Sequence, residues 1–316
     1  MSTYLDPESS AFADAASKGQ PLYEKSYKEA REVLEGIQNY KPASDVKQEE
    51  IKVPVNGSDV VAVVFRPANV QGTLPLIFYT HGGGWILGSP TTHGSLMEDF
   101  VRQTGATVVF PYYTPAPEAQ YPTQFEQSYG VLEHFVNNGA QYKLKVDTIG
   151  LAGDSVGGHM AIALTQLAQS RNLPAKIGHL VLLYPVTDIY KKSETYTTFR
   201  DGPYLAEKTM DWMIAAFAPN EEDRKLPLTS PLQFAPDEVL AKFPPTTVFV
   251  SGADPLIGEG EAFGHRLQKL GVDAAVLKAD GQIHDYVLLE PIRKSATARA
   301  VVELASLKLL KAVPNN

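Results

Sequence analysis

A short apolar run, Thr148-Ile149-Gly150-Leu151-Ala152, leads straight into Gly153-Asp154-Ser155-Val156-Gly157, and this junction constrains the chain more than any other feature. The run is too short for a helix, whereas Met160, Ala163, Leu164 and Leu167 beyond it recur at helical spacing, so a strand enters Ser155 and a helix leaves it. Reversal over so few residues forces the serine into a strained backbone conformation, and Gly153 and Gly157 let neighbouring backbone pass without clash. Such a turn holds the hydroxyl above a sheet, beside a helix N-terminus that favours developing negative charge.

A second glycine-rich segment, His81-Gly82-Gly83-Gly84, follows another strand-like run, Leu76-Ile77-Phe78-Tyr79. Successive glycines cost backbone entropy and give nothing to a core. A compensating role is to turn the N–H groups of Gly83 and Gly84 toward a ligand oxygen, with the N–H of Val156 as a third donor. Removing one donor of such an oxyanion hole typically costs about 10²–10³ in turnover. Either motif alone also fits an ordinary turn or a flexible loop; together, each at a strand end and in this order, they point to acyl transfer through serine.

The 316 residues suit one α/β catalytic domain with an added cap. Residues 1–48 read as a polar, helical arm that forms part of the cap, with Tyr23, Tyr27, Ala30, Leu34 and Ile37 marking an amphipathic helix. The catalytic domain then spans 49–316. It opens with a hairpin, Val53 to Val55 and Val60 to Phe65, turning at Asn56-Gly57. Strands near Leu76 to Tyr79, Thr107 to Phe110, Thr148 to Ala152, His179 to Tyr184, Thr247 to Val250 and Ala274 to Leu277 alternate with helical stretches. This alternation predicts a mostly parallel sheet of eight strands covered by helices on both faces. A long connection between Tyr184 and Thr246 carries Met210, Met213, Ile214 and Phe217 on one helical face, and its portion at about 189–232 reads as a cap insertion.

The net charge of −8, with no basic cluster, argues against nucleic acid or an anionic membrane as partner. The chain has no cysteine, which removes thiol chemistry and cysteine-based zinc sites and fits a reducing compartment. No secretory signal is visible, no apolar run approaches the ~18 residues of a membrane span, and a cytoplasmic location is expected. Neither a Walker sequence nor H-E-x-x-H occurs, and Gly258-Glu259-Gly260 falls short of a dinucleotide fingerprint. No cofactor or metal is expected.

A serine needs a general base, and the base needs a group that fixes its tautomer. In this topology both follow the serine, each in a loop after a later strand. Of the seven histidines, His81, His93 and His134 precede Ser155, His159 lies one turn into the next helix, His179 opens a strand, and His265 falls in a helix. His284, in the loop Asp280-Gly281-Gln282-Ile283-His284, remains. Asp254 follows Val248-Phe249-Val250-Ser251-Gly252 at a strand end and is favoured as the acid, with Asp188 the competing candidate.

These segments resemble the hormone-sensitive-lipase-like carboxylesterases of the α/β-hydrolase fold, in the branch whose nucleophile motif is G-D-S-A-G. The resemblance covers roughly residues 50 to 312 and rests on His81-Gly82-Gly83-Gly84, Gly153 to Gly158, Asp254-Pro255-Leu256, Gly281-x-x-His284 and the cap return Ser230-Pro231-Leu232. It implies hydrolysis of short to medium acyl esters without metal or cofactor, under a cap built from N-terminal helices and an insertion after the sixth strand. Three departures bear on the site. Val156 replaces a small alanine; Gly258 stands where the family has aspartate; and Thr114, in Tyr113-Thr114-Pro115-Ala116-Pro117-Glu118, replaces an arginine expected to pair internally.

The expected catalytic set is therefore Ser155, Asp254 and His284, with Gly83, Gly84 and Val156 as oxyanion donors and Trp85, Trp212 and Phe217 as candidates for lining the pocket. Activity should fall as His284 protonates, near its unperturbed pKa of about 6.5. The same machinery would serve a lactone or an activated amide, and a hydrolase fold retained as a small-molecule receptor is a reading from a different class. The last strand would leave an open edge usable by a second copy in a homodimer.

Overall fold

Asn56 and Gly57 both hold positive φ, 49° and 83°, the pair that a two-residue turn between right-twisted strands requires. In this computed structural model, which describes residues 3–313, they join the first two of eight strands. In chain order the strands are β1 (Val46–Val55), β2 (Ser58–Pro67), β3 (Leu74–Thr80), β4 (Thr107–Tyr112), β5 (Leu144–Asp154), β6 (Lys176–Leu183), β7 (Thr246–Ala253) and β8 (Ala274–Ile283). Across the single sheet they run β1-β2-β4-β3-β5-β6-β7-β8. The pairings β1 with β2 and β2 with β4 are antiparallel; all others are parallel. Every residue of β3 and β7 is buried, as expected of parallel strands covered on both faces.

The helices are α1 (Pro7–Ala16), α2 (Tyr27–Gln38), α3 (Pro90–Thr104), α4 (Thr123–Asn137), α5 (Val156–Ser170), α6 (Glu194–Thr198), α7 (Glu207–Phe217), α8 (Pro231–Phe234), α9 (Asp237–Leu240), α10 (Ile257–Lys269) and α11 (Ala296–Ala312). Against the sheet, α3 packs with α11 and α4 with α5, while α10 crosses β7 and β8. Helices α3 and α11 lie outside the sequence reading, although α3 carries clear end signals. Ser89 accepts from the N–H groups of Thr91 and Thr92, Pro90 takes the first helical position, and Gly105 closes the helix at φ 65°.

The arm is more divided than its periodicity predicts. Helix α1 starts where the Asp6 carboxylate accepts from the N–H of Ser9 and Pro7 opens the first turn. Ser26 and Glu29 form a capping box that starts α2 at Tyr27, so Tyr23 falls in a preceding 3₁₀ turn, Leu22–Glu24. At the other end of the chain, β8 runs on to Ile283, past the expected loop start at Asp280. A register shift against β7 between Ser251 and Ala253, with Gly281 at φ 70°, lets the strand resume, and the carbonyl of Gly281 accepts from the N–H of Asp6. Among the described residues no helix is long and apolar enough to cross a membrane.

Register places the functional loops together. Thr80 pairs with Gly153, Gly153 with Leu182, Leu183 with Phe249, and Ala253 with Ile283. The loops that follow β3, β5, β7 and β8 therefore leave the same end of the sheet, where ligands bind in open parallel sheets. Backbone approaches a glycine most closely where α5 leaves β5, because a Cβ on Gly157 would overlap the backbone oxygen of Thr80 and the backbone of His81. Gly157→Ala should accordingly lose about 1–3 kcal/mol through overpacking, read as a lower midpoint of thermal unfolding. An unchanged midpoint would contradict this packing.

Candidate active site

Strand β5 delivers Ser155 at φ 53° and ψ −123°, a region that non-glycine residues occupy only when the surroundings enforce it. Two interactions do so. Its N–H donates to the carbonyl of Leu183 at 2.8 Å and its own carbonyl accepts from Val186 at 3.1 Å, tying the turn to the end of β6. Gly153 passes so close to Gly157 and Thr80 that a side chain there would collide with backbone. The serine hydroxyl is left beside the N-terminus of α5.

His284 follows β8 directly, and Asp254 follows β7. The Nδ1–H of His284 donates to Asp254 Oδ2 at 2.6 Å, since a carboxylate can only accept, and its Nε2 lies 2.9 Å from Ser155 Oγ. The other oxygen of Asp254 accepts from the N–H of Leu256 at 2.9 Å, fixing the carboxylate. Burial alone would lower the imidazole pKa, but the charges of Asp254 and Asp285 and the bond to Asp254 outweigh it and bring His284 up to about 9. A hydroxyl aimed at an imidazole that a carboxylate orients is an arrangement able to produce a serine nucleophile.

Asp188, the competing acid, is occupied elsewhere: its Oδ1 accepts from the N–H groups of Tyr190 and Lys191. The other histidines are also accounted for. His81 is stacked between Phe110 and Tyr113, and burial pushes it down to about 3. His134 meets the hydroxyl of Tyr142, His179 meets Thr247, His159 is buried beside Trp85, and His265 lies within α10.

The glycine loop after β3 is held by Asp154, whose part in the site has no local sign in the sequence beyond its place beside Ser155. Asp154 Oδ1 accepts from the N–H of Gly82 at 2.9 Å and from the hydroxyl of Tyr79 at 2.7 Å, while Oδ2 faces His93 Nε2 at 3.3 Å. Burial would raise this carboxyl, but His93, Tyr79 and Gly82 together hold it below the usual range. The loop then turns through positive φ at Gly83 and Gly84, 105° and 62°, and closes with the N–H of Leu87 donating to Gly83 O at 2.7 Å. Among the described residues, nothing accepts from the N–H groups of Gly83, Gly84 or Val156. Gly83 and Gly84 line the pocket together with Ser155, whereas Val156 follows Ser155 as the first residue of α5.

Further contacts answer two of the three departures noted in the sequence, those at Thr114 and Gly258. Arg31 of α2 places a guanidinium on Glu118, with bonds of 2.8 and 2.7 Å, and donates to the carbonyls of Ile86 and Ala116. It pairs with Glu118, in the Thr114 segment, from 87 residues upstream. At Gly258 the hydroxyls of Ser193 and Thr195 fill the space that a side chain would take, and Thr195 also bonds Pro255 O at 2.7 Å.

The pocket over Ser155 is lined by Leu22 and Leu34 from the arm, by Tyr204, Leu205, Thr209, Met210 and Met213 from the long insertion, and by Gly83, Gly84, Leu87, His284 and Asp285. Trp85, Trp212 and Phe217, expected at the pocket, are not among its lining residues. Trp85 and Phe217 are fully buried and stack on each other at 4.2 Å, and Trp212 stacks on Tyr27 at 5.1 Å, joining α7 to α2. Their apolar area goes to attaching the insertion, and Met213 instead meets the glycine loop, where a Cβ on Gly84 would overlap its sulfur.

Residues 77–288 match the family model for the alpha/beta hydrolase fold. An esterase of Gibberella moniliformis is 51% identical over 315 residues, covering 99% of each chain, and an esterase of Fusarium pseudograminearum is 49% identical over 313 residues, covering 98% of this chain and 96% of its own. The crystal structure of a thermostable esterase from Pseudomonas putida matches with a TM-score of 0.95 at 34% identity, over the whole of both chains. The chain belongs to the α/β-hydrolase family, among the hormone-sensitive-lipase-like carboxylesterases. It is a carboxylic ester hydrolase.

Asp154→Ala would strand the Gly82 N–H, the Tyr79 hydroxyl and His93, and each unsatisfied buried group costs about 1–3 kcal/mol. The variant should unfold at markedly lower temperature and lose about 10²-fold or more in ester turnover as Gly83 and Gly84 shift. Wild-type turnover in a folded variant would show that the carboxylate does not hold the loop.

Proposed function

We propose that this carboxylesterase hydrolyses short- to medium-chain acyl esters in two steps through Ser155, His284 and Asp254. The observation that carries the reading is the hydrogen-bonded line from Ser155 Oγ through His284 to Asp254, together with three backbone N–H groups that have no partner among the described residues. Ser155 Oγ attacks the ester carbonyl as His284 Nε2 takes its proton, and Asp254 stabilises the resulting imidazolium. The N–H groups of Gly83, Gly84 and Val156 receive the oxyanion. His284 then protonates the departing alcohol, and water, deprotonated by the same nitrogen, releases the acid from the acyl-enzyme.

The arm and the insertion at about 189–232 serve as the cap, a role supported by the residues each contributes to the pocket wall. The modest, largely aliphatic space they enclose favours short acyl chains. The absence of cysteine supports a cytoplasmic enzyme. The edge of β8 at Ala274 to Leu277, where side chains are half-buried or exposed, is where a second copy would pair.

With p-nitrophenyl esters from acetate to long acyl chains, turnover should peak at short chains, and Ser155→Ala should lower kcat by about 10⁴-fold or more. Equal turnover by the alanine variant would remove Ser155 from the reaction. Because the base must be neutral and its pKa is raised, kcat/KM should rise with pH through a midpoint above 6.5, toward 9, rather than near the unperturbed value. A midpoint at or below 6.5 would mean that the two carboxylates do not act on His284.

A further inference from the structure

The pocket holds a second carboxylate that the proposed reaction does not use. Asp285 follows His284 at φ 64°, a left-handed conformation that aspartate tolerates better than most residues, and it lines the pocket with Ser155, Gly83 and Gly84. Its side chain is only 13% exposed, and Oδ1 lies 3.4 Å from His284 Nε2, the nitrogen that faces Ser155. That oxygen is buried and has no hydrogen-bond partner among the described residues. The Tyr204 phenol engages the carboxyl, and burial pushes Asp285 up to about 6. The remaining titratable groups that act on it are His93, Asp154 and Asp254, with the phenols of Tyr79 and Tyr184 nearby.

Among the described residues no lysine or arginine lines this pocket, and beyond the reacting groups its wall is mostly aliphatic, Leu22, Leu34, Leu87, Leu205, Met210 and Met213, with only the hydroxyls of Tyr204 and Thr209 as further polar groups. A buried acceptor left without a donor is costly, and a ligand that brings one recovers the loss. A ligand that brings a second negative charge meets a like charge in a poorly hydrated space. Position decides which part of the substrate feels this, because Oδ1 is next to the nitrogen that must sit against the reacting oxygen atoms.

Resting on the serine reading above, we propose that Asp285 is a specificity residue that selects esters carrying an O–H, N–H or ammonium donor beside the scissile carbonyl and rejects esters carrying a carboxylate there. Ethyl propionate, ethyl lactate and monoethyl malonate are close in size and differ at that position in being apolar, a donor or an anion.

The test is kcat/KM for the three ethyl esters by pH-stat titration, in the wild type and in Asp285→Asn, which keeps the shape and suits positive φ. The wild type should favour lactate over propionate by about tenfold and disfavour malonate by about a hundredfold, and Asp285→Asn should raise the malonate-to-propionate ratio by about tenfold or more. A ratio that Asp285→Asn leaves unchanged, or a wild type that handles all three alike, overturns the inference. If Asp285→Asn does not fold, the wild-type ratio decides alone: it should rise as the pH falls through about 6 and the carboxyl is neutralised, since malonate stays ionised and the titration of His284 cancels, and a constant ratio overturns it. Failure of the wild type to hydrolyse ethyl propionate or p-nitrophenyl acetate would instead overturn the serine reading.

Discussion

The backbone of Ser155, at φ 53° and ψ −123°, is the constraint from which the rest of the site follows. A serine does not adopt this conformation freely, and three strand ends combine to impose it: Leu183 and Val186 hold its amide and carbonyl, and Gly153 and Gly157 bring α5 against the end of β3. The same close approach puts Asp154 under the glycine loop, where it orders Gly82 and so the free N–H groups beyond it. One turn thus ties the strand end that carries Ser155 to the glycine loop after β3, which gives a physical reason for the two glycine-rich segments to occur together in the sequence.

A second constraint is electrostatic. His284 has a carboxylate at each ring nitrogen, Asp254 bonded to Nδ1 at 2.6 Å and Asp285 lying 3.4 Å from Nε2. Asp254 orients the ring; Asp285 sits on the substrate side. Both favour the protonated imidazole, so stabilising the imidazolium during the reaction comes with a smaller fraction of free base near neutral pH.

Much of this was legible in the sequence, and what was legible was local. Ser155, Asp254 and His284 stand at strand ends marked by short apolar runs, and topology puts strand ends on one side of a sheet. Asn56-Gly57 announced its own turn. What could not be read depends on contacts distant along the chain. Nothing near Arg31 indicates that it will reach Glu118, and nothing near Ser193 indicates that it will fill the space at Gly258. Trp85, Trp212 and Phe217 stack on other aromatic rings and are not among the pocket's lining residues, a difference that sequence does not display because an aromatic that attaches a helix and one that lines a pocket have the same local pattern. Asp285 carried a usable signal, an acidic residue next to the presumed base, but which way its carboxyl faces is decided by positive φ, which the sequence does not display.

The central claim is that an acyl group passes through Ser155 Oγ with His284 as the base. The most direct measurement is intact-mass and peptide-map analysis after reaction with diethyl p-nitrophenyl phosphate, a phosphorylating analogue of an activated ester. A single diethylphosphoryl adduct per chain should form on the peptide containing Ser155, quickly in the wild type and hardly at all in His284→Ala. An adduct on another residue, or equal labelling of both proteins at Ser155, would contradict it.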